Sequence, residues 1–352
     1  MIFKSIELKE FRMDKGLLID VRSPDEYYKG HMPNSINIPI FDNEERAFIG
    51  KKYKNLGREK AVYEGFKIIE KKLDNLINDL ISAENIYFSN KSIKDNRDNK
   101  FRIYCARGGM RSQSISWLLQ KFEYKTLVLN GGYKSYRKAV LESFIPKKKL
   151  ILIGGKTGTG KTKILNGLKK QSFQIIDLEF LANHRGSTFG GLGMVKQPTN
   201  EYFENLIAEE LNKFNNINSI FVEAESANIG SCRIPYEFFK QMKSAPRIEI
   251  IKDKNIRIEE LIRTYSIYPK EDLKKSIIRI SKRLGPQRTK SALEAVDKED
   301  WAGVCISVLD YYDKCYSYEL KDKSKVYELN SSQEDHNNIG LINEIIKISS
   351  KL

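Results

Sequence analysis

The sequence predicts two successive α/β units, each built on a mostly parallel sheet, with a basic helical region at the C-terminal end. Three observations carry this. Short apolar runs alternate with amphipathic stretches over the 352 residues, the order expected of strand–helix repeats. Two glycine-containing loops, residues 105–112 and 155–162, each stand between an apolar run and a helical pattern. Between them, Phe144-Ile145-Pro146-Lys147-Lys148-Lys149 joins a helix-stopping proline to lysines that stay in water, setting the units at residues 1–143 and 144–352. A chain of this length can bury two separate cores.

Taken in order, Leu17-Leu18-Ile19, Ile103-Tyr104 and Leu127-Val128-Leu129 read as buried strands of the first unit. Leu150-Ile151-Leu152-Ile153, Ile175-Ile176 and Ile220-Phe221-Val222 read as those of the second. Such runs suit parallel strands covered on both faces. After Ser112, Ile115, Leu118, Leu119 and Phe122 fall on one helical face, and after Thr162, Ile164, Leu165 and Leu168 do the same. Residues 44–79 are charged and helical, an insertion between strands, and residues 90–99 are a polar loop. From about Arg257 onward the pattern is helical and basic, including Lys282-Arg283-Leu284-Gly285-Pro286-Gln287-Arg288.

Net charge of +15 favours a polyanionic partner such as nucleic acid or a phosphorylated substrate. Cys105, Cys232, Cys305 and Cys315 lack the paired spacing of a zinc site or disulfide framework, so no metal is expected to be held by them. No secretory signal is visible, and no apolar run approaches the roughly 18 residues that span a bilayer. A cytoplasmic protein with no membrane partner is the expectation.

The first loop reads Cys105-Ala106-Arg107-Gly108-Gly109-Met110-Arg111-Ser112. A thiol becomes a useful nucleophile when its thiolate is stabilised, and a strand-to-helix loop offers backbone amides and a helix N-terminus for that. Gly108 and Gly109 are expected to let the backbone curl tightly. Arg111 and Arg107 add positive charge and a fork for a tetrahedral anion. Ser112 is placed to cap the helix or bond the sulfur. Cys105 and Arg111 are separated by five residues, a spacing shared with cysteine phosphatases and roomy enough for a phosphate-bearing donor.

The second loop, Gly155-Lys156-Thr157-Gly158-Thr159-Gly160-Lys161-Thr162, matches the Walker A pattern in full after a strand. Its amides are expected to wrap a diphosphate neutralised by Lys161, with Gly155, Gly158 and Gly160 giving the backbone its turns and Thr162 a candidate magnesium ligand. Asp177 ends the next strand and is a supporting residue; Glu223 and Glu225 end a third, and either glutamate is a candidate for polarising water or magnesium. These loops leave three classes open: a cysteine phosphatase or sulfurtransferase fused to a P-loop kinase or ATPase, a transferase that needs both loops, and a non-catalytic RNA-binding adaptor in which both loops merely dock anions.

Leu18-Ile19-Asp20-Val21-Arg22-Ser23-Pro24-Asp25-Glu26-Tyr27 and Gly30-His31-Met32-Pro33-Asn34-Ser35-Ile36-Asn37-Ile38-Pro39, with the Cys105 loop, resemble the rhodanese domain. The resemblance implies a rhodanese-like α/β domain whose cysteine carries a transferable sulfur or selenium. It also implies that Asp20 and Arg22 brace the loop and that His31 is structural.

Further along, Asp177-Leu178-Glu179-Phe180-Leu181-Ala182-Asn183-His184-Arg185-Gly186-Ser187-Thr188-Phe189-Gly190, Gln197-Pro198, Val222-Glu223-Ala224-Glu225-Ser226 and Tyr311-Tyr312-Asp313 follow the Walker loop. Together the chain resembles the tRNA 2-selenouridine synthase family, a rhodanese-like domain followed by a P-loop NTPase-like α/β domain. That resemblance implies conversion of wobble 2-thiouridine to 2-selenouridine. Geranyl diphosphate would alkylate the sulfur, then selenium from selenophosphate would replace it through an S-selanyl Cys105. It implies tRNA as partner, a selenophosphate-supplying enzyme as a candidate second partner, and no tightly bound cofactor. His184 and Arg185 become candidate substrate contacts, and Arg283 and Arg288 candidate tRNA backbone contacts. Tyr311 and Tyr312 read as core aromatics rather than base-stacking platforms.

Overall fold

Ser5–Ile6 (β1), Leu17–Asp20 (β2), Ile36–Asn37 (β3), Lys100–Tyr104 (β4) and Lys125–Leu129 (β5) form a sheet in the order β1-β5-β4-β2-β3, parallel throughout. The computed structural model describes residues 5–89, 100–320, 326–331 and 338–352. Contacts divide the chain into Met1–Glu142 and Ser143–Leu352. All four β2 residues are buried, as strands covered on both faces require.

The first unit's core joins Leu17, Ile19, Ile103 and Cys105 to Ile115 and Leu119 of the helix Met110–Lys121. Also in this unit are helices Leu8–Met13 (α1), Pro24–Lys29 (α2) and Asn43–Ser89 (α3); Met110–Lys121 is α4 and Gly132–Ser143 is α5. The charged insertion runs well beyond residue 79. α3 is broken at Gly57, whose φ of +84 suits glycine, and again at Lys72. The predicted polar loop at 90–99 lies outside the described residues.

In the second unit, Leu150–Gly155 (β6), Gln174–Ile176 (β7), Ile220–Glu223 (β8), Arg247–Ile251 (β11) and Val326–Asn330 (β12) make a parallel sheet ordered β12-β11-β6-β8-β7. Asn228–Ile229 (β9) and Cys232–Arg233 (β10) form a separate antiparallel pair. The helices are Lys161–Lys170 (α6), Leu178–Leu181 (α7), Asn200–Asn212 (α8), Tyr236–Ser244 (α9), Lys254–Tyr265 (α10), Lys270–Leu284 (α11), Pro286–Asp297 (α12), Trp301–Leu320 (α13) and Ile339–Ser349 (α14).

Two cores stabilise this unit. One sets Ile164, Leu165 and Leu168 of α6 against Ile151, Ile153, Ile248 and α14 residues Leu341, Ile342 and Ile345. The other is helical: Leu273, Ile277 and Ile280 of α11, Ala292 and Val296 of α12, and Val304 and Val308 of α13, with Phe189 inserted from the loop after α7.

The C-terminal region is not wholly helical, because β12 extends the sheet at its edge. Only Leu329 is buried in that strand, so its apolar signal was too slight to read among the surrounding charges. β1 and β3, two residues each, escaped for the same reason.

Candidate active sites

Cys105 follows β4 and lies 3% exposed at the start of the first loop. Its Sγ is 3.2 Å from Ser112 Oγ and 3.9 Å from Gly109 O, and Ser112 Oγ also donates to Gly109 O at 3.0 Å. Ser112 thus ties the sulfur to the first turn of α4, which begins at Met110 with Gly109 as its cap. Gly108 has a φ of +67, and a Cβ there would meet Leu129 O at 2.4 Å. Gly109 is different from what the sequence suggested. Its backbone is extended and a Cβ would meet nothing within 4 Å, so the curl is supplied by Gly108 alone of the two.

The floor of the loop comes from after β5. The amides of Tyr133 and Lys134 donate to Cys105 O and Ala106 O at 2.8 and 3.0 Å. Gly132, at a φ of +56, sits so close that a Cβ would lie 2.3 Å from Cys105 O and 2.5 Å from Gly108 N. Arg22 donates to both Asp20 carboxylate oxygens and to Gly30 O at 2.7 Å, while its guanidinium stacks 3.8 Å above the Tyr133 ring. Asp20 and Arg22 therefore connect the β2 end to the loop floor through Tyr133. His31 stacks on Tyr27 at 3.7 Å and its Nδ1 lies 2.9 Å from Tyr27 O, so it belongs to the turn.

Arg111 points its fork at Glu26: Nη1 donates to Oε2 at 2.7 Å and Nη2 to Oε1 at 3.3 Å. Burial works to raise the Glu26 carboxyl, yet Arg111, the Ser23 amide and Arg46 together hold it down at about 2. The arginine expected to grip an anion is thus pre-aligned by a carboxylate from α2. Arg107 is exposed.

In the second unit the Walker loop joins β6 to α6. Gly155, Gly158 and Gly160 have φ of +152, +88 and +84. A Cβ on Gly155 would meet Thr159 Oγ1 at 2.4 Å, and one on Gly158 would meet Arg257 O at 2.8 Å. Lys161 Nζ donates to Gly155 O at 3.2 Å and lies 3.8 Å from Glu225 Oε1.

Thr162 Oγ1 donates to Glu179 Oε2 at 3.4 Å. Burial, then the neighbouring Glu225, push the Glu179 carboxyl up to about 8 against the pull of Lys161. Glu223 is fully buried and accepts from Leu178 N at 2.8 Å. Burial first, then Asp177 and Glu179, raise its carboxyl well above the usual range, so it serves the fold while Glu225 faces Lys161. Asp177 caps α7 by accepting from Phe180 N at 2.8 Å.

Behind the loop, α10 and α13 hold its backbone. Arg257, 3% exposed, donates to Thr157 O at 3.2 Å and to both Asp313 carboxylate oxygens at 2.9 and 2.7 Å. Gly155 N donates to Tyr316 Oη at 2.5 Å; Tyr316 Oη donates to Glu249 at 3.0 Å, and Arg247 donates to both Tyr316 and Glu249.

The Walker loop lines a cavity of about 820 Å³ with Glu179, Arg185, Glu225, Arg283 and Tyr312 among its walls. Arg283 therefore faces the phosphate cavity, while Arg288 lies 3.7 Å from Asp310 on a more open surface. Arg185 braces its own loop, donating to Leu192 O at 2.9 Å. Burial lowers the His184 imidazole, with Arg185 adding to the effect. Tyr312 Oη accepts from Thr188 N at 3.2 Å, and its ring lies 5.2 Å from that of Tyr311.

A narrow apolar cleft opens beside the cavity and shares Thr157, Ser187, Leu261, Tyr265 and Tyr312 with it. Its other walls include Phe189, Leu273, Trp301, Val304 and Val308. Glu26, Glu179 and Asp313 stood inside motifs quoted from the sequence without roles, because their partners lie far away in the chain. Gly132 and Tyr133 carry one readable signal, the Gly131-Gly132 pair one residue past a strand.

Two families match the chain: the one described as tRNA 2-selenouridine synthase AAA domain over residues 148–341, and the rhodanese-like domain over residues 6–139. The chain is similar to the tRNA 2-selenouridine synthase of Sulfurovum sp. (strain NBC37-1), 31% identical over 94% of this chain and 96% of that protein. That of Pseudomonas aeruginosa (strain LESB58) is 29% identical over 93% and 94%. That of Nitrosomonas eutropha (strain DSM 101675 / C91 / Nm57) is 36% identical over 71% and 63%.

Proposed function

Because the chain belongs to the tRNA 2-selenouridine synthase family, we propose that it replaces the sulfur of wobble 2-thiouridine in tRNA with selenium in two steps. In the first, the thiocarbonyl sulfur attacks C1 of geranyl diphosphate. A C–S bond forms, the C–O bond breaks, and diphosphate departs with the bonding electrons while the base loses its N3 proton. In the second, the selenium of selenophosphate attacks C2, so that a C–Se bond forms and the C2–S bond breaks; geranyl thiolate leaves and takes up a proton, and water then splits the Se–P bond to release phosphate. Alkylation is needed because a bare thiocarbonyl sulfur is a poor leaving group.

The observation that carries this reading is one chain holding both a complete phosphate loop, with Lys161 bonded to its Gly155 carbonyl, and a buried cysteine loop tied through Ser112 to the start of α4. The apolar cleft beside the phosphate loop encloses only about 60 Å³, and its Phe189, Leu273, Val304 and Val308 walls are packed into the helical core, so it does not itself seat a ten-carbon chain. The Walker loop and Lys161 would take the diphosphate and stabilise its charge as it leaves. Thr162 presents the hydroxyl oxygen that a magnesium ion accepts, Glu179 would add a carboxylate oxygen once it gives up its proton, and such an ion would neutralise the departing diphosphate. In the first unit, Arg111 and the loop backbone would receive the phosphate group of selenophosphate beside Cys105, whose thiol would give the proton that the departing geranyl thiolate takes up.

The test is nucleoside mass spectrometry after incubating full-length protein with 2-thiouridine-bearing tRNA, geranyl diphosphate and selenophosphate. Wild type is expected to yield 2-selenouridine. Cys105→Ala is expected to stop at S-geranyl-2-thiouridine, and Lys161→Ala to slow geranylation by about 100-fold. A tRNA left unchanged, together with aryl phosphate hydrolysis lost on Cys105→Ser, would replace this reading with a phosphatase.

A further inference from the structure

An enzyme that performs both steps meets the ten-carbon chain twice. It first holds the chain on a diphosphate, and later on the sulfur of the base, while selenium enters at the cysteine loop. A groove of about 830 Å³ lies beside that loop, between α4 and the stretch of α3 that follows Gly57. Its walls include Tyr63, Phe66, Leu73, Met110, Ile115 and Trp117. Tyr63 is 62% exposed, Phe66 59% and Trp117 41%, so three aromatic rings stand open to water on one face. Clustered exposed apolar surface of this kind marks a binding site.

The groove borders the cysteine loop. Met110 follows Gly109, whose carbonyl faces Cys105 Sγ. Gln113, in the groove wall, has its Nε2 3.5 Å from Gly108 O. Ile115 lines the groove and belongs to the same core as Cys105. From Met110 to Trp117 the helix rises about 11 Å, comparable to the span of an extended ten-carbon isoprenoid. Lys67 and Glu70 are the charged residues in the walls, and Lys67 sits 4.4 Å over the Tyr63 ring, leaving the rest of the trough suited to flat alkene carbons.

We propose that this groove seats the geranyl chain of S-geranyl-2-thiouridine during selenation, drawing C2 of the base to Cys105. The inference rests on the two-step reading above. No bond is made or broken in the groove; it holds the leaving group.

The experiment uses full-length protein, selenophosphate, and tRNA carrying either S-geranyl- or S-methyl-2-thiouridine. Phe66→Ser and Trp117→Ser replace exposed rings, so the fold should tolerate them. Each is expected to raise the KM for selenation of S-geranyl tRNA about tenfold and to leave that of S-methyl tRNA unchanged. Geranylation of 2-thiouridine tRNA, measured on the same preparations, reports folding and tRNA binding and should hold at the wild-type rate. Wild-type KM for the S-geranyl substrate in both variants would overturn the groove assignment while leaving the two-step reading intact. A change of oligomeric state in the variants would also overturn it, marking the groove as a contact between copies. Wild-type protein that cannot selenate S-geranyl tRNA at all would remove the two-step reading, and the groove assignment with it.

Discussion

The Glu26 carboxyl accepts both arms of Arg111 and lies 3.4 Å from Arg46, so one acidic side chain on α2 sets the charge and aim of the cysteine loop's arginine. Unfolded, Glu26 titrates near about 4.3; folded, it is held at about 2. Its folded value is the depressed one. The stability it contributes is therefore fully present above about 4.3 and lost as pH falls through the folded value. Glu26→Gln should cost about 1–2 kcal/mol at neutral pH, an amount reduced by the pair's partial exposure. In urea titrations the gap from wild type should narrow towards about pH 3, and a gap indifferent to pH would contradict the pairing.

The two loop glycines separate just as cleanly. Gly108→Ala places a methyl group against Leu129 O at a positive φ and should cost about 1–3 kcal/mol. Gly109→Ala meets open space and should unfold at nearly the wild-type temperature. Thermal unfolding of the two variants side by side checks this. At this scale Cys105, Arg111 and Lys161 were legible because spacing names them. Glu26, Gly132 and Glu179 were not, since their roles depend on partners brought in by other strands and helices.

Among elements, α13 has a double duty. Trp301, Val304, Val308 and Tyr312 wall the apolar cleft, and Asp313 and Tyr316 reach the Walker loop through Arg257 and the Gly155 amide. Tyr316→Phe removes the acceptor for Gly155 N and leaves buried Arg247 and Glu249 short of a partner. A loss of about 1–2 kcal/mol in diphosphate affinity is expected, read as a raised KM for geranyl diphosphate with a smaller effect on kcat. An unchanged KM would show that the loop keeps its shape without α13.

The strand-to-helix settings of both loops were visible from apolar periodicity. The packing of α13 under the loop was not, because helical pattern shows which face is apolar and says nothing of which neighbour that face meets. β12 was lost for a different reason: an edge strand with one buried residue resembles a charged linker.

For the whole molecule, the charge of +15 is the property that acts furthest from any one site. If tRNA is gripped through its phosphates, affinity should fall steeply and linearly on a log–log plot against salt, by about 0.7–0.9 in slope per phosphate contact. Arg288→Ala should lessen that slope by about one contact, measured by filter binding across a salt series. A slope near zero would assign the positive charge to solubility rather than recognition. Composition made the polyanion expectation readable; which surface serves it was not, because like charges repel across every face and only folding decides which are neighbours.

β12 and α14 supply Leu329, Leu341, Ile342 and Ile345 to the core that backs the Walker helix, and Gly167 of α6 leaves room where an added Cβ would lie 2.2 Å from Ile342. The phosphate-binding motif of this unit and its final wedge are thus separated by more than half its length. During synthesis a ribosome must release nearly all of that length before the phosphate-binding turn has anything firm behind it, so a nascent or clipped chain ending before β12 would display the Walker residues on an unfinished scaffold.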